Sequence, residues 1–386
     1  MVKTGILTFH RADNYGAVLQ AYALNKKLND LDVDAEEIDY YPDYFRKIYM
    51  MNVSFSIKHP KSLFYKIKRE SISAILKKRS LGFKKFIENN FVLSRTFSQK
   101  EISTIDKLDY DIIITGSDQV WNDRCAEFDP IYFLDFPAAS KVKKYSYAAS
   151  FNLNKIPFDK IEEYSRRLKG YASYSVRESV GQILLKDLIG VNAVVNCDPT
   201  FLLNQNQWIE LADKCNNSKI KNSQPYLFVY YVKKSKMLME YAQKIAKQKK
   251  LQVICIPCMM TFDVFEQKLY SEYGFTFLPD ASPYDFLSLI KNAQYVISNS
   301  FHGTVFSVIF HKQFYSVMNF DDGGKNLRSK QLIESLDLVD RIIDSRTVIS
   351  SIDDRINWES VEKTISHERE EAIMYLKKIC GLGNNE

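Results

Sequence analysis

The chain has 386 residues, of which 46% are hydrophobic, and it carries a formal net charge of +6. This length and composition favour two packed domains over one. No window reaches the roughly 18 consecutive apolar residues that indicate a membrane-spanning helix, and the N-terminus lacks the apolar core and cleavage site of a secretory signal. We therefore expect a cytoplasmic protein. Its six cysteines are scattered along the chain, which is typical of reduced thiols rather than of a disulfide framework.

The first part of the chain predicts a parallel α/β unit. Residues 3–9 predict a strand, the periodicity of 16–28 predicts a helix, and residues 35–40 predict a second strand. This βαβ order is typical of a doubly wound sheet. Further strands are predicted at 110–116, 144–150, 172–177 and 193–196.

A basic segment, about 46–95, interrupts this unit. It holds thirteen lysines and arginines against two acids, Glu70 and Glu88, and its apolar residues recur at roughly helical spacing from Ile67 to Phe91. A basic amphipathic segment suits an anionic membrane surface or a phosphate-rich ligand. The alternative is a solvated helical insertion. No nucleic-acid-binding motif accompanies the charge, so we expect no nucleic acid partner.

A second α/β unit follows the polar linker 214–224. Strands are predicted at 226–231, 251–256 and 295–298, and helices at 235–249, 283–292, 304–311 and 359–380. The pattern predicts two Rossmann-like, doubly wound domains that face a cleft. We place the N-terminal domain, with its basic helical insertion, at 1–213, the C-terminal domain at 225–350, and a closing helix and tail at 355–386.

Four polar clusters follow predicted strands, where a doubly wound sheet presents its ligand groups. Residues 10–16 and 116–122 form the first two, and Arg177 lies in the third, either in an ion pair or in an anion clamp. The fourth is Ser298-Asn-Ser-Phe-His302-Gly303. A strand end that runs into a helix N-terminus is a ready anion site, and the proton of His302 can move near neutral pH. Taken alone, such a histidine is more often structural than catalytic.

Several common sites are not supported by the sequence. No GxGxxG motif follows the first strand and no P-loop lysine is present, and no nucleophile elbow indicates a hydrolase. The pair Asp109 and Asp111 resembles the Asp-any-Asp element of metal-dependent glycosyltransferases, but it lies at the start of its strand. Cys255 and Cys258 end an apolar run and have no second ligand pair, so we interpret them as structural. We expect no metal site.

Six blocks of sequence carry a family resemblance, in order along nearly the whole chain. They comprise residues 5–10 with 14–24, then 110–122, 175–178, 198–202, 298–303, and Arg328 ahead of 332–340. On these blocks the chain resembles the polysaccharide pyruvyl transferase family. The basic insertion and the tail are not covered.

The resemblance implies a GT-B-like fold and transfer of pyruvate from phosphoenolpyruvate onto two hydroxyls of one sugar, which forms a cyclic ketal. The acceptor would be a surface polysaccharide or its lipid-linked precursor, and phosphoenolpyruvate would be a co-substrate, with no cofactor. His302 matches the family's histidine, and our hypothesis is that it is the acid/base. We predict donor contacts from Arg177, Arg328, Lys325, Ser298, Asn299, Ser300 and Gly303. We predict acceptor contacts from His10, Asn14, Gly16, Ser117 and Asp118.

One position departs from the family pattern. Many members carry an arginine two residues before the histidine, and here the position is Ser300. A bidentate cation is missing there, unless Arg328, Lys325 or Arg177 replaces it. Two alternatives stay open: a GT-B-type nucleotide-sugar glycosyltransferase, and a degenerate, non-catalytic subunit of a polysaccharide assembly complex. The latter predicts membrane or partner association that depends on Lys77, Lys78 and Arg79. Either way, the basic segment suggests peripheral contact with the inner face of the cell membrane.

Overall fold

The computed structural model of the chain describes residues 2–45, 63–221, 224–233, 235–258, 272–318, 326–347 and 355–383, and within 63–73 it describes the helix but not the side chains. Part of the basic segment, 46–62, and the predicted donor residue Lys325 lie outside the described residues.

Three consecutive isoleucines occupy the middle of the first sheet. They lie in a strand that is buried along its whole length, as expected where both faces of a parallel sheet are covered. All neighbouring strands are parallel, in the order β2-β1-β3-β4-β5. The strands are Lys3–Leu7 (β1), Asp34–Glu37 (β2), Ile112–Thr115 (β3), Lys143–Ser146 (β4) and Tyr171–Ser173 (β5).

The single strand predicted at 172–177 is two strands in the structure. After β5 the chain leaves the first sheet at Tyr174, which is buried and whose hydroxyl donates to the carbonyl of Leu168 at 2.7 Å. Ser175–Val176 (β6) then pairs with Val194–Val195 (β7) in a separate parallel ribbon. An apolar run does not reveal such a change of sheet, so the prediction of one strand was wrong.

The second sheet has six parallel strands in the order β10-β9-β8-β11-β12-β13. They are Tyr226–Tyr231 (β8), Gln252–Pro257 (β9), Thr276–Phe277 (β10), Tyr295–Ser298 (β11), Gln313–Val317 (β12) and Ile342–Ile343 (β13). The predicted bounds of β8 and β11 are confirmed. Two α/β units with parallel sheets therefore make up the fold, as predicted.

The helices cover both sheets. In chain order they are Tyr15–Asp30 (α1), Leu63–Asn90 (α2), Gln99–Thr104 (α3), Ile161–Arg167 (α4), Ser179–Ile189 (α5), Gln205–Asp213 (α6), Ser218–Lys221 (α7), Lys236–Lys249 (α8), Pro283–Asn292 (α9), Phe301–Ile309 (α10), Leu327–Ser335 (α11) and Trp358–Ile379 (α12). None of the helices described is long and apolar enough to cross a membrane.

The helix of the basic insertion, α2, packs between the two units. Its buried residues Phe83 and Phe86 join a core that contains Tyr15 and Tyr22 of α1 and Phe286 of α9. Burial of aromatic rings stabilises a contact of this kind by roughly 1.5–3 kcal/mol per side chain. The apolar periodicity of the insertion is therefore explained by a core between the units.

The last helix, α12, covers the first sheet. Ala372, Leu376 and Ile379 are buried against Ile6 and Ile114 of β1 and β3. The chain thus crosses to the second unit and returns to the first. Residues of the α6 segment already pack on α9 in the core between the units, so the chain reaches the second unit ahead of the linker predicted at 214–224.

Candidate active site

His302 lies where β11 ends and α10 begins. Ser298 fixes this turn, because its hydroxyl donates to the carbonyl of Tyr230 at 2.6 Å and accepts from the amide of Ser300 at 3.0 Å. Gly303 lets the helix approach the strand end, since a β-carbon there would be 2.1 Å from Ser298 Oγ. The turn holds His302 in a largely buried position, with its side chain 9% exposed.

The first unit reaches His302 through the N-terminus of α1. A β-carbon on Gly16 would be 2.0 Å from Nδ1 of His302, so only glycine leaves room for the imidazole. Asn14 caps the helix, and its side-chain oxygen accepts from the amide of Ala17 at 3.3 Å. Gly16 therefore contacts the predicted acid/base, and Asn14 holds the turn that places it there.

A buried carboxylate, Asp198, lies on the other side of the imidazole. Its Oδ2 is 3.5 Å from His302 Nε2 and accepts from Arg177 Nη1 at 2.6 Å. Its Oδ1 accepts from the hydroxyl of Thr200 at 2.7 Å. Burial would raise the pKa of Asp198, but His302, Arg177 and Thr200 outweigh it and hold the pKa below its usual range. Asp198 is therefore an anion beside His302 that can orient the imidazole.

Two arginines from different units meet over one aromatic ring. The guanidinium carbons of Arg177 and Arg328 lie 4.8 and 5.4 Å from the ring centre of Phe301. Both approach the same carboxylate oxygen of Asp118, at 3.6 Å for Arg177 Nη2 and 4.0 Å for Arg328 Nη1. The ring contacts attract both cations, so one carboxylate and one ring hold two like charges together.

Both arginines are charged at neutral pH. Burial alone would lower the pKa of Arg177, but the carboxylates of Asp198 and Asp118 raise it above its ordinary value. For Arg328, burial and the neighbouring charge of Arg177 lower the pKa to about 10. A value near 10 still leaves the guanidinium protonated at pH 7, so the pair presents two positive charges.

Several polar atoms of this group are buried without a hydrogen-bond partner among the described residues. They are Nε and Nη2 of Arg177, Nε of Arg328 and Nε2 of His302. An unsatisfied buried N–H costs roughly 1–3 kcal/mol, and native proteins contain few of them. Three of these four atoms belong to the two arginines, so an anionic ligand would satisfy donors of both.

A cavity of about 200 Å³ adjoins the arginines. All three parts of the fold contribute to its wall: the first unit through residues 195–198, the second through α11, and the closing helix α12. The charged or aromatic side chains that line it are those of Arg177, Asp198, Phe201, Phe301, Arg328, Glu368 and Glu371. The site therefore lies between the units, as the predicted cleft required.

Other predicted residues form hydrogen bonds with backbone groups around the site. The Asn299 amide holds the loop after β8, accepting from the amide of Val232 at 2.8 Å and donating to the carbonyl of Lys233 at 2.6 Å. The Ser117 hydroxyl donates to the carbonyl of Ala148 at 2.6 Å. Ser300 is buried at the start of α10 and makes no side-chain cap there. The side chains of Asn299 and Ser117 are thus engaged by the backbone around the site.

His10 lies away from the cavity, in a buried ion-pair network. Its Nε2 is 3.0 Å from Asp39 and its Nδ1 is 3.4 Å from Glu37, and the side chain has no exposed surface. Arg11 closes the network with two hydrogen bonds to Asp39, at 2.5 and 2.6 Å. The predicted acceptor role of His10 is therefore replaced by a structural one, because a fully buried ring has no surface to offer a sugar.

The basic insertion also needs a correction. Arg79 is 1% exposed and donates to the carbonyls of Cys258 and Pro257, at 2.7 and 3.2 Å. It also donates to the hydroxyl of Tyr15, at 2.9 Å. Lys78 is paired with Asp280 at 2.5 Å. Arg79 therefore joins the two units and cannot lie on a membrane surface.

Two residues of the site were not predicted as such, Asp198 and Phe301. Asp198 belongs to one of the family blocks, and Phe301 lies between Ser300 and His302. An Asp-Pro-Thr sequence is as typical of a turn as of a site, and a phenylalanine is usually core. Only the family pattern could have singled them out.

The six cysteines form no disulfide within the described residues, and Cys255 and Cys258 are buried. Throughout the residues that the structure describes, no three histidine, cysteine, aspartate or glutamate side chains form a group that could hold a metal ion.

Solved structures share this architecture at low sequence identity. A crystal structure of UDP-N-acetylglucosamine 2-epimerase matches with a TM-score of 0.52 at 8% identity, covering 100% of this chain and 98% of that one. A Listeria monocytogenes protein described as a UDP-N-acetylglucosamine 2-epimerase matches with a TM-score of 0.50 at 10% identity and the same coverage. At such identity the likeness shows the fold alone, which is of the GT-B type. No curated protein sequence matches the chain.

The family pattern is matched over most of the chain. The polysaccharide pyruvyl transferase profile covers residues 14–322, which include Gly16, Asp118, Arg177, Asp198 and His302. This is well over half of the 386 residues. The chain therefore belongs to the polysaccharide pyruvyl transferase family and is a transferase.

Proposed function

We propose that the protein transfers pyruvate from phosphoenolpyruvate onto two hydroxyls of one sugar, in a surface polysaccharide or its lipid-linked precursor, and forms a cyclic ketal. The observation that supports this most is the group of unsatisfied N–H donors on two buried arginines next to a histidine–aspartate pair. Phosphoenolpyruvate carries a phosphate and a carboxylate, and arginine is the side chain best suited to bind both.

The reaction needs a proton donor at carbon. Protonation of the methylene carbon of phosphoenolpyruvate creates an oxocarbenium-like centre, which the first sugar hydroxyl attacks. The second hydroxyl then displaces phosphate and closes the ketal. One hydroxyl proton ends on the new methyl group and the other leaves with phosphate, so the reaction balances without an oxidant or reductant. General acid catalysis of this kind is worth roughly 10²–10⁴-fold in rate.

His302 is suited to the acid role by its neighbours. Asp198 lies 3.5 Å from Nε2 and is itself held by Arg177, so it can orient the imidazole without leaving its place. Arg177 and Arg328 supply the two cations that a donor with two anionic groups needs. Arg328 thereby replaces the arginine that is absent at Ser300, since it approaches the same Asp118 oxygen and the same Phe301 ring as Arg177.

The test is an assay with phosphoenolpyruvate and either methyl β-D-galactopyranoside or methyl α-D-mannopyranoside. Phosphate release and a ketal product by mass spectrometry are the expected results, and His302→Ala should abolish both. Lys378→Ala is the control, because that side chain is exposed near the end of the closing helix. Turnover by His302→Ala at the wild-type rate would overturn the acid assignment. Stabilisation by nucleotide sugars with indifference to phosphoenolpyruvate would instead support the glycosyltransferase alternative.

We also propose that the acceptor is lipid-linked and that α2 brings the enzyme to the inner face of the cell membrane. Lys77, Lys84 and Lys85 are exposed, and Leu81 between them is 48% exposed. Such a face suits an anionic bilayer.

Sedimentation with phosphatidylglycerol vesicles should be lost on changing the three lysines to glutamate. The same charge change at Lys186, Lys377 and Lys378, which are exposed elsewhere, should leave it intact. Equal losses in both variants would contradict the proposal.

A further inference from the structure

The closing helix α12 contributes two carboxylates to the cavity beside the arginine pair. Glu368 and Glu371 both line it, together with Arg177 and Arg328. Residues three apart on a helix share one face and lie roughly 5–6 Å apart. The helix begins at Trp358, beyond residues 14–322 that match the family, so neither glutamate has a role assigned by the family pattern.

The helix presents these glutamates from a fixed position. Arg369, between them, donates to the carbonyl of Phe201 at 2.5 Å, and Tyr375 donates to the carbonyl of Ser146 at 2.9 Å. Leu376 is fully buried against the first sheet. Both glutamates are therefore held against the same unit that contains Arg177 and Asp198. This favours a constant distance between the glutamates and those two residues.

The glutamates and the arginines share a cavity without neutralising each other. Within the described part of the chain, neither carboxylate lies within 4.0 Å of a lysine or arginine nitrogen, and the partner of Glu371 is His367 at 3.6 Å. Burial and the charge of Glu371 raise the pKa of Glu368. Arg177, 3% exposed at its side chain, keeps two nitrogens without a hydrogen bond on the same cavity. The cavity wall thus combines arginine donors that have no hydrogen bond with two carboxylates, of which that of Glu371 is 57% exposed.

A simple anion would bind only the arginines of this cavity, because the glutamate carboxylates would repel it. The wall as a whole therefore suits an anionic donor at the arginines and the hydroxyls of a second substrate at the glutamates. Carboxylates accept strong hydrogen bonds from hydroxyls, and two of them at this spacing suit two hydroxyls of one ring. We propose that Glu368 and Glu371 bind the hydroxyls of the sugar acceptor and so determine acceptor specificity. This rests on the proposed pyruvyl transfer.

The experiment measures the two KM values separately in the full-length enzyme. Glu368→Gln and Glu371→Gln keep the side-chain shape but weaken acceptance from a hydroxyl. With methyl β-D-galactopyranoside or methyl α-D-mannopyranoside, each should raise the acceptor KM about tenfold, while the KM for phosphoenolpyruvate stays within about twofold. Glu370→Gln, exposed on the same helix, is the matched control and should change neither value.

Three outcomes overturn the assignment. Acceptor KM values within about twofold of wild type in both variants would show that the glutamates do not contact the sugar. A lower KM for phosphoenolpyruvate with an unchanged acceptor KM would show that they only repel the donor. If the wild-type enzyme transfers pyruvate to neither glycoside, the proposed function itself fails and this assignment fails with it. The first two results leave the proposed function standing.

Discussion

Gly16 of the first unit lies directly against the imidazole of His302 in the second, and a β-carbon on it would be 2.0 Å from Nδ1. On the opposite side, Asp198 lies 3.5 Å from Nε2. The proposed acid/base is therefore held between two segments of the first unit, although its own strand and helix belong to the second. The chemistry depends on how the two units are placed relative to each other.

Gly16→Ala should remove most of the activity while the protein stays folded. The new methyl group must displace the imidazole, and a misplacement of about 1 Å at a reacting group can cost roughly 10²-fold in rate. We expect kcat to fall by about that factor, with circular dichroism unchanged. Gly383→Ala is the control, since nothing lies within 4 Å of a β-carbon there. A kcat within about threefold of wild type would show that the ring position is not critical.

Asp198→Asn should affect both catalysis and stability. It removes the carboxylate that holds Arg177, whose side chain is 3% exposed, and breaking a buried ion pair costs roughly 3–5 kcal/mol. Urea unfolding should show this loss, and kcat should fall because His302 loses its orienting anion. Asp187→Asn, at an exposed position on α5, should change neither. Wild-type kcat in a destabilised Asp198→Asn variant would restrict Asp198 to a structural role.

Much of the fold could be predicted from the sequence, because buried parallel strands are apolar throughout. The bounds of Tyr226–Tyr231 and Pro283–Asn292 were predicted to the residue. A continuous apolar run between polar turns is typical of a buried strand, and apolar residues at helical spacing are typical of a helix. The pairing of Ser175–Val176 with Val194–Val195 was missed, because two-residue strands are too short to show a period.

The direction of single charged side chains could not be predicted. Arg79 lies among twelve other lysines and arginines of the basic segment, and composition assigned it to the surface with them. Its burial depends on carbonyl groups of Cys258 and Pro257, which lie far away along the chain. His10 was likewise placed at the site by its position after a strand, while its partners are Glu37, at the end of the next strand, and Asp39, just beyond it.

Arg79→Ala should lower activity and stability together, without affecting membrane contact. It removes hydrogen bonds to the carbonyls of Cys258 and Pro257 and to Tyr15, one residue before Gly16. Charged hydrogen bonds contribute roughly 1.5–3 kcal/mol each, so we expect a loss of at least about 3 kcal/mol in urea unfolding. Arg79→Lys should recover only part of it, because one ammonium cannot reach all three oxygens.

Lys77→Ala, at an exposed position two residues earlier, is the control for Arg79→Ala. It should leave unfolding and kcat unchanged. If Arg79→Ala instead kept its stability and lost vesicle binding, the arginine would face the membrane and not the core between the units.

His10 should make the stability of the protein fall as the pH rises above about 6.5. Burial would lower its pKa, but hydrogen bonds to Asp39 and Glu37 raise it above the usual value. A raised pKa means that the folded state holds the proton more tightly, so this stabilisation is complete below the unfolded pKa of about 6.5 and is lost as pH rises through the folded pKa. Burial also raises the pKa of Glu37 despite His10, which adds a change in the same direction.

Urea unfolding from pH 6 upward should therefore show a steeper decline in wild type than in His10→Gln, by up to about 1.4 kcal/mol per pH unit. His367→Gln, with its side chain 73% exposed, should keep the wild-type slope. Equal slopes in wild type and His10→Gln would mean that the buried ring carries no proton when the protein folds.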